Sequence, residues 1–140
     1  MATYSSTRIS NPVPAKTGVG VVSVHASVTT SAAVAAADLV KFFTVPAGAT
    51  IIGGTFSSTD IDTNGTPTAS LIVGDAGDTD RLFAATTIGQ AGGITNDLAI
   101  AGHGYKYTAD TDIYATVSAV ATGAIGTFKL SLTYILGEVA

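Results

Sequence analysis

Apolar and polar residues alternate with a period of two along most of this chain. Val22, Val24, Ala26 and Val28 alternate with Ser23, His25 and Ser27. Phe128, Leu130, Leu132, Tyr134 and Leu136 alternate with Thr127, Lys129, Ser131 and Thr133. Ile113, Ala115, Val117 and Ala119 alternate with Tyr114, Thr116 and Ser118. This period puts one apolar face on a half-buried strand. Shorter runs at 39–45, 49–56, 68–73 and 81–85, with a weak one at 94–100, bring the expected count to about eight strands. Gly, Pro, Asn and Asp divide them, as in a β-sandwich or barrel. The Ala-rich stretch 30–40 is where a helix competes, since Ala has the highest helix propensity. Thr29, Thr30, Ser31 and Val34 dilute that signal, and a loop leading into a strand is expected. Residues 1–17 break the pattern. They carry Ser, Thr and the turn-like Asn11-Pro12-Val13-Pro14, and they read as an extended N-terminal arm ahead of one domain at 18–140.

Composition narrows the function. Charged residues make up only 11% of the 140 residues and apolar ones 46%. A charge content below half of the roughly 25% usual in soluble proteins favours association. The formal net charge is −4 and the basic residues Arg8, Lys16, Lys41, Arg81, Lys106 and Lys129 lie scattered. Phosphate-backbone binding needs them clustered, so no nucleic-acid partner is expected. The absence of cysteine excludes disulfides and zinc-thiolate sites. The polar start gives no sign of a secretory signal, no stretch is long and apolar enough for a membrane helix, and no membrane partner is expected.

Candidate chemistry is sparse. Asp60-Ile-Asp62-Thr-Asn64-Gly65 has the spacing that opens a calcium loop, but Leu71 stands where a bidentate Glu belongs and no helices flank it. The competing reading is a hairpin turn at Asn64-Gly65 between two strands. Asp75, Asp78 or Asp80 would have to complete a cation site from a second loop. His25 and His103 lack zinc spacing. No Gly-x-Ser-x-Gly elbow, phosphate loop or dinucleotide fingerprint is present. Tyr105 and Tyr107 share one face of a short extended segment, either as a carbohydrate-stacking platform or as packing at a sheet edge or a subunit contact. No catalytic residue, metal, cofactor or enzymatic activity is expected.

Taken in order, Phe43-Thr-Val-Pro-Ala-Gly-Ala-Thr-Ile-Ile-Gly-Gly, Asp60-Ile-Asp-Thr-Asn-Gly-Thr-Pro-Thr-Ala-Ser-Leu-Ile-Val-Gly-Asp, Asp78-Thr-Asp-Arg-Leu-Phe, Gly89-Gln-Ala-Gly-Gly, Gly102-His-Gly-Tyr-Lys-Tyr-Thr-Ala-Asp and Gly126-Thr-Phe-Lys-Leu-Ser-Leu-Thr-Tyr resemble small structural proteins of tailed bacteriophages. Among these the chain looks most like head decoration (cement) proteins, over residues 40–135. The resemblance implies an all-β, jelly-roll-like antiparallel sandwich of about eight strands. It also implies a place on the capsid exterior of the virion after synthesis in the host cytoplasm, the major capsid protein as partner, and self-association as a homo-trimer or homo-dimer. The arm residues Tyr4, Arg8, Ile9, Pro12, Val13, Pro14 and Lys16 would then contact capsid or neighbouring subunits. Rival roles are a head fibre, a tail or baseplate component, or a glycan-binding adhesion sandwich.

Overall fold

The computed structural model describes residues 1–6 and 20–136. The strands are β1 (Thr3–Ser5), β2 (Gly20–Thr29), β3 (Leu39–Val45), β4 (Thr50–Ser58), β5 (Ser70–Gly74), β6 (Phe83–Thr86), β7 (Gly93–Thr95), β8 (Thr111–Ala119) and β9 (Thr127–Leu136), with one short 3-10 turn at Ile88–Gln90. They form two sheets, β1-β3-β8-β5-β6 and β2-β9-β4-β7. The antiparallel pairs β2·β9, β3·β8, β4·β7 and β5·β6 are nested. One long hairpin rolled over itself gives that nesting, which is the jelly-roll arrangement. Its eight strands, β2 to β9, are those the alternation predicts.

The apolar faces of the two sheets meet in a core that includes Val40, Phe42, Phe56, Leu71, Val117, Phe128 and Tyr134, all fully buried. Phe42 from one sheet meets Phe56 from the other edge to face, with centroids 6.2 Å apart, and Phe56 meets Phe83 at 6.0 Å. Phe42 and Phe43 are neighbours in sequence, yet both are buried. A register shift between Lys41 and Phe43 makes this possible. The extra residue of a bulge turns a second consecutive side chain inward, against strict alternation.

Several boundaries differ from the sequence reading. The 81–85 run is a strand only from Phe83, because Arg81 is drawn into the preceding loop. The weak 94–100 run holds β7 and then leaves the sheet. The Ala-rich stretch is a loop, as expected, with Ala37 at φ 73. Asn64-Gly65 does not join a hairpin: β4 and β5 belong to different sheets, and the 59–69 segment crosses between them. No helix among the described residues is long and apolar enough to cross a membrane.

Candidate interaction surfaces

Tyr4 lies on β1, at the centre of a strand that the polar arm composition concealed. β1 adds to the jelly roll in parallel at the free edge of β3, with Thr3, Tyr4 and Ser5 opposite Leu39, Val40 and Lys41. The Tyr4 side chain is half-buried and packs against the core. Buried Asp38 fastens this strand. Its Oδ1 accepts from the Ala2 amide at 2.7 Å and its Oδ2 from the Ala35 amide at 2.9 Å. The Leu39 amide donates back to the Ala2 carbonyl at 3.0 Å. Arg8, Ile9, Pro12, Val13, Pro14 and Lys16 lie outside the described residues.

The acidic loops are built as backbone clasps. Asp62, only 2% exposed, accepts five backbone amides, from Asn64, Thr68, Ala69, Ala121 and Thr122, at 2.8–3.3 Å. Two of those donors lie about sixty residues away, so one carboxylate ties the β4–β5 crossing to the β8–β9 loop. Burial opposes its ionisation, but the amides of Ala121, Thr122, Thr68 and Asn64 outweigh that and hold the carboxyl well below the usual range. Asp60 and Asn64 also accept amides two residues on. The calcium-like spacing therefore serves local turns. No cluster among the described residues could hold a metal ion. Gly123 lies in the same clasp, where a Cβ would collide with the Val34 carbonyl.

Asp75 organises the opposite end of the sandwich. Its Oδ2 accepts from Arg81 Nε at 2.7 Å and from the Tyr107 hydroxyl at 2.8 Å, while its Oδ1 accepts the Gly77 and Asp78 amides. The Arg81 guanidinium also lies 3.8 Å from the centroid of the Tyr105 ring, and Tyr105 meets Tyr107 edge to face at 4.9 Å. Burial raises the Asp75 pKa, yet Arg81, Tyr107 and the Asp78 amide bring it below the ordinary value. Burial and the Asp75 hydrogen bond push the Tyr107 phenol upward. The two tyrosines thus pack inside a loop cluster, with Tyr107 buried in the core. The sequence missed this because Asp75 stands 32 residues from Tyr107.

The outward faces of the two sheets differ in charge. The β1-β3-β8-β5-β6 sheet presents Lys41, Asp112 and Tyr114 around an open groove of about 430 Å³, with Asp110 at its rim. Asp112 there accepts from Thr44 Oγ1 at 2.6 Å. The β2-β9-β4-β7 sheet presents cross-strand rows of small hydroxyls. Ser23 pairs with Thr133 at 3.0 Å, His25 Nδ1 with Ser131 at 2.8 Å, Thr29 with Thr127 at 2.9 Å, and Thr55 donates to Asn96 at 2.8 Å. Lys129 is the one formally charged side chain on the outward positions of those four strands. His103 sits in an exposed turn, its amide bonded to Ala99.

Against known proteins, the whole molecule superposes on a chain from the capsid of Ralstonia phage GP4. The TM-score is 0.82, with 27% identity over 99% of this chain and 100% of that one. A chain of the cyanophage Pam1 capsid asymmetric unit matches at 32% identity and TM-score 0.72, covering 89% of this chain and 90% of that one. The chain belongs to a family of phage capsid proteins. This capsid protein also shares its fold, at 14% identity and TM-score 0.57, with a chain of the acidic stable capsid of Helicobacter pylori bacteriophage KHP30. No protein-family model and no curated protein matches the sequence. The phage capsid family places the jelly roll in a virion.

Proposed function

We propose that this capsid protein binds the outside of an assembled phage shell and cements it, as a structural component without enzymatic activity. The observation that carries this reading is the end-to-end match to a capsid chain of the same extent. Charge supports the exterior. With net charge −4 and isolated cations, the chain is poorly suited to line a cavity filled with packaged DNA, where clustered Lys and Arg are favoured. The shell is under outward pressure from that DNA. A clamp that bridges adjacent capsomers adds contacts that must break before the shell opens. Many weak identical contacts, made by a homo-trimer or homo-dimer seated on the major capsid protein, act together through effective concentration.

The segment at 7–17 supplies the anchor in this reading, with Arg8 and Lys16 as its cations, while β1 fixes the start of the arm on the sandwich. Co-sedimentation with shells lacking the protein tests this. The full-length chain pellets with shells, and a chain beginning at Gly18 does not. Because that truncation also removes β1, the pair Arg8→Ala and Lys16→Ala is the companion variant. It keeps β1 and still weakens binding. Undiminished binding by both variants overturns the arm anchor, and no binding by the full-length chain overturns the cement role.

A further inference from the structure

Resting on that reading, we infer that the outward face of the β2-β9-β4-β7 sheet is the surface on which the sandwich seats against the shell, and that its partner is a flat, sparingly charged protein surface with a carboxylate opposite Lys129. The chain carries ten acidic residues, yet none stands at an outward position of these four strands. A sheet face kept for solvent ordinarily carries charges of both signs. The other sheet of this molecule does so, with Lys41 and Asp112.

Several polar groups of this face are already paired across the strands: Ser23 with Thr133, Thr29 with Thr127, and Ser131 with His25. Covering these pairs costs less than covering isolated hydroxyls, because part of their hydrogen bonding is already met within the sheet. What a partner meets is a surface of short Ser and Thr side chains, kept low where Gly53 interrupts β4 opposite Thr133. Exposed apolar side chains lie at both ends of the face: Val21 (62% exposed) on β2 and Ile52 on β4 at one end, and Ile94 (66%) on β7 toward the other. Along β2 the face spans about 26 Å, and across the four strands about 15 Å. That footprint of about 390 Å² is roughly half of the about 800 Å² per partner of a standard interface, and contacts of the arm would supply the rest.

Charge selects the occupant. Were a second copy to dock face to face, each Lys129 would be buried against a surface with no carboxylate, a costly arrangement. A partner with an acidic group at that point neutralises it.

Three exposed positions test the proposal: Lys129→Glu and His25→Glu on this face, and Ser118→Glu on the opposite sheet as control. All three are measured for melting temperature and for affinity to shells lacking the protein. The expected result is wild-type melting in every case, binding weakened at least about tenfold by each of the first two, and unchanged binding by Ser118→Glu. Wild-type affinity in Lys129→Glu and His25→Glu overturns this docking face and leaves the cement role standing. Failure of the wild-type chain to bind shells overturns both.

Discussion

A carboxylate that accepts five backbone amides is poorly replaced by anything else. Asparagine offers one acceptor oxygen and turns its own NH₂ toward N–H donors, leaving buried amides unsatisfied. Asp62→Asn therefore lowers the thermal midpoint, whereas Asn64→Asp, at an exposed site of the same loop, changes it little. The effect has a definite pH signature. The folded pKa of Asp62 lies below the unfolded value of 3.8. Its contribution is thus fully present above that value and fades as pH falls toward the folded one. The difference in midpoint between wild type and Asp62→Asn should be widest near about pH 6 and narrow steadily below about pH 4; a difference independent of pH contradicts the clasp. At the other end, Arg81→Ala strips a buried carboxylate of its ion pair. Full burial makes such a loss worth roughly 3–5 kcal/mol. The Arg81 side chain keeps 15% exposure, so about 2 kcal/mol is expected. A double-mutant cycle with Asp75→Asn reads the coupling, and additive losses would show that the pair is not the cause.

At the scale of elements, the strands were legible and their partners were not. Period-two alternation marks a half-buried strand whichever neighbour it acquires, so β2, β8 and β9 could be drawn from side chains alone. The nested pairing depends on contacts between residues as far apart as Gly20 and Leu136, for which a single sequence holds no signal. β1 was hidden for a different reason: a strand of three residues is too short for a period to show, and it sits in a Ser/Thr-rich segment. The bulge that buries both Phe42 and Phe43 likewise breaks the rule by which strands are recognised. Asp62 and Asp75 were visible as acids, but their partners lie in loops brought together only by the roll. Asp38 provides an element-scale prediction. Its replacement by Ala removes the acceptor for the Ala2 amide, so β1 should fray. Hydrogen exchange at the Leu39 amide, which donates to Ala2, should accelerate while Leu130 in β9 stays protected. Equal protection of Leu39 in both proteins would mean that β1 holds without the clip.

The whole molecule joins a cooperative core to a sparingly charged exterior. Phe56 stands where the two sheets meet, between Phe42 and Phe83. Phe56→Ala should cost about 3–5 kcal/mol in chemical denaturation, and a loss below about 1 kcal/mol would contradict a single shared core. Tight clasps at both ends and a core without breaks suit a part that must carry load without yielding. The weakly charged sheet face suits one that is covered in the assembled particle. Membership of a capsid family gives the setting for both properties, and the proposed role follows if the load is the pressure of packaged DNA. The most direct measurement adds purified protein to sealed, DNA-filled shells that lack it and records the temperature at which they release DNA. Added from outside, the protein should raise that temperature in a saturable way. An unchanged release temperature at saturating protein would contradict the role of exterior cement.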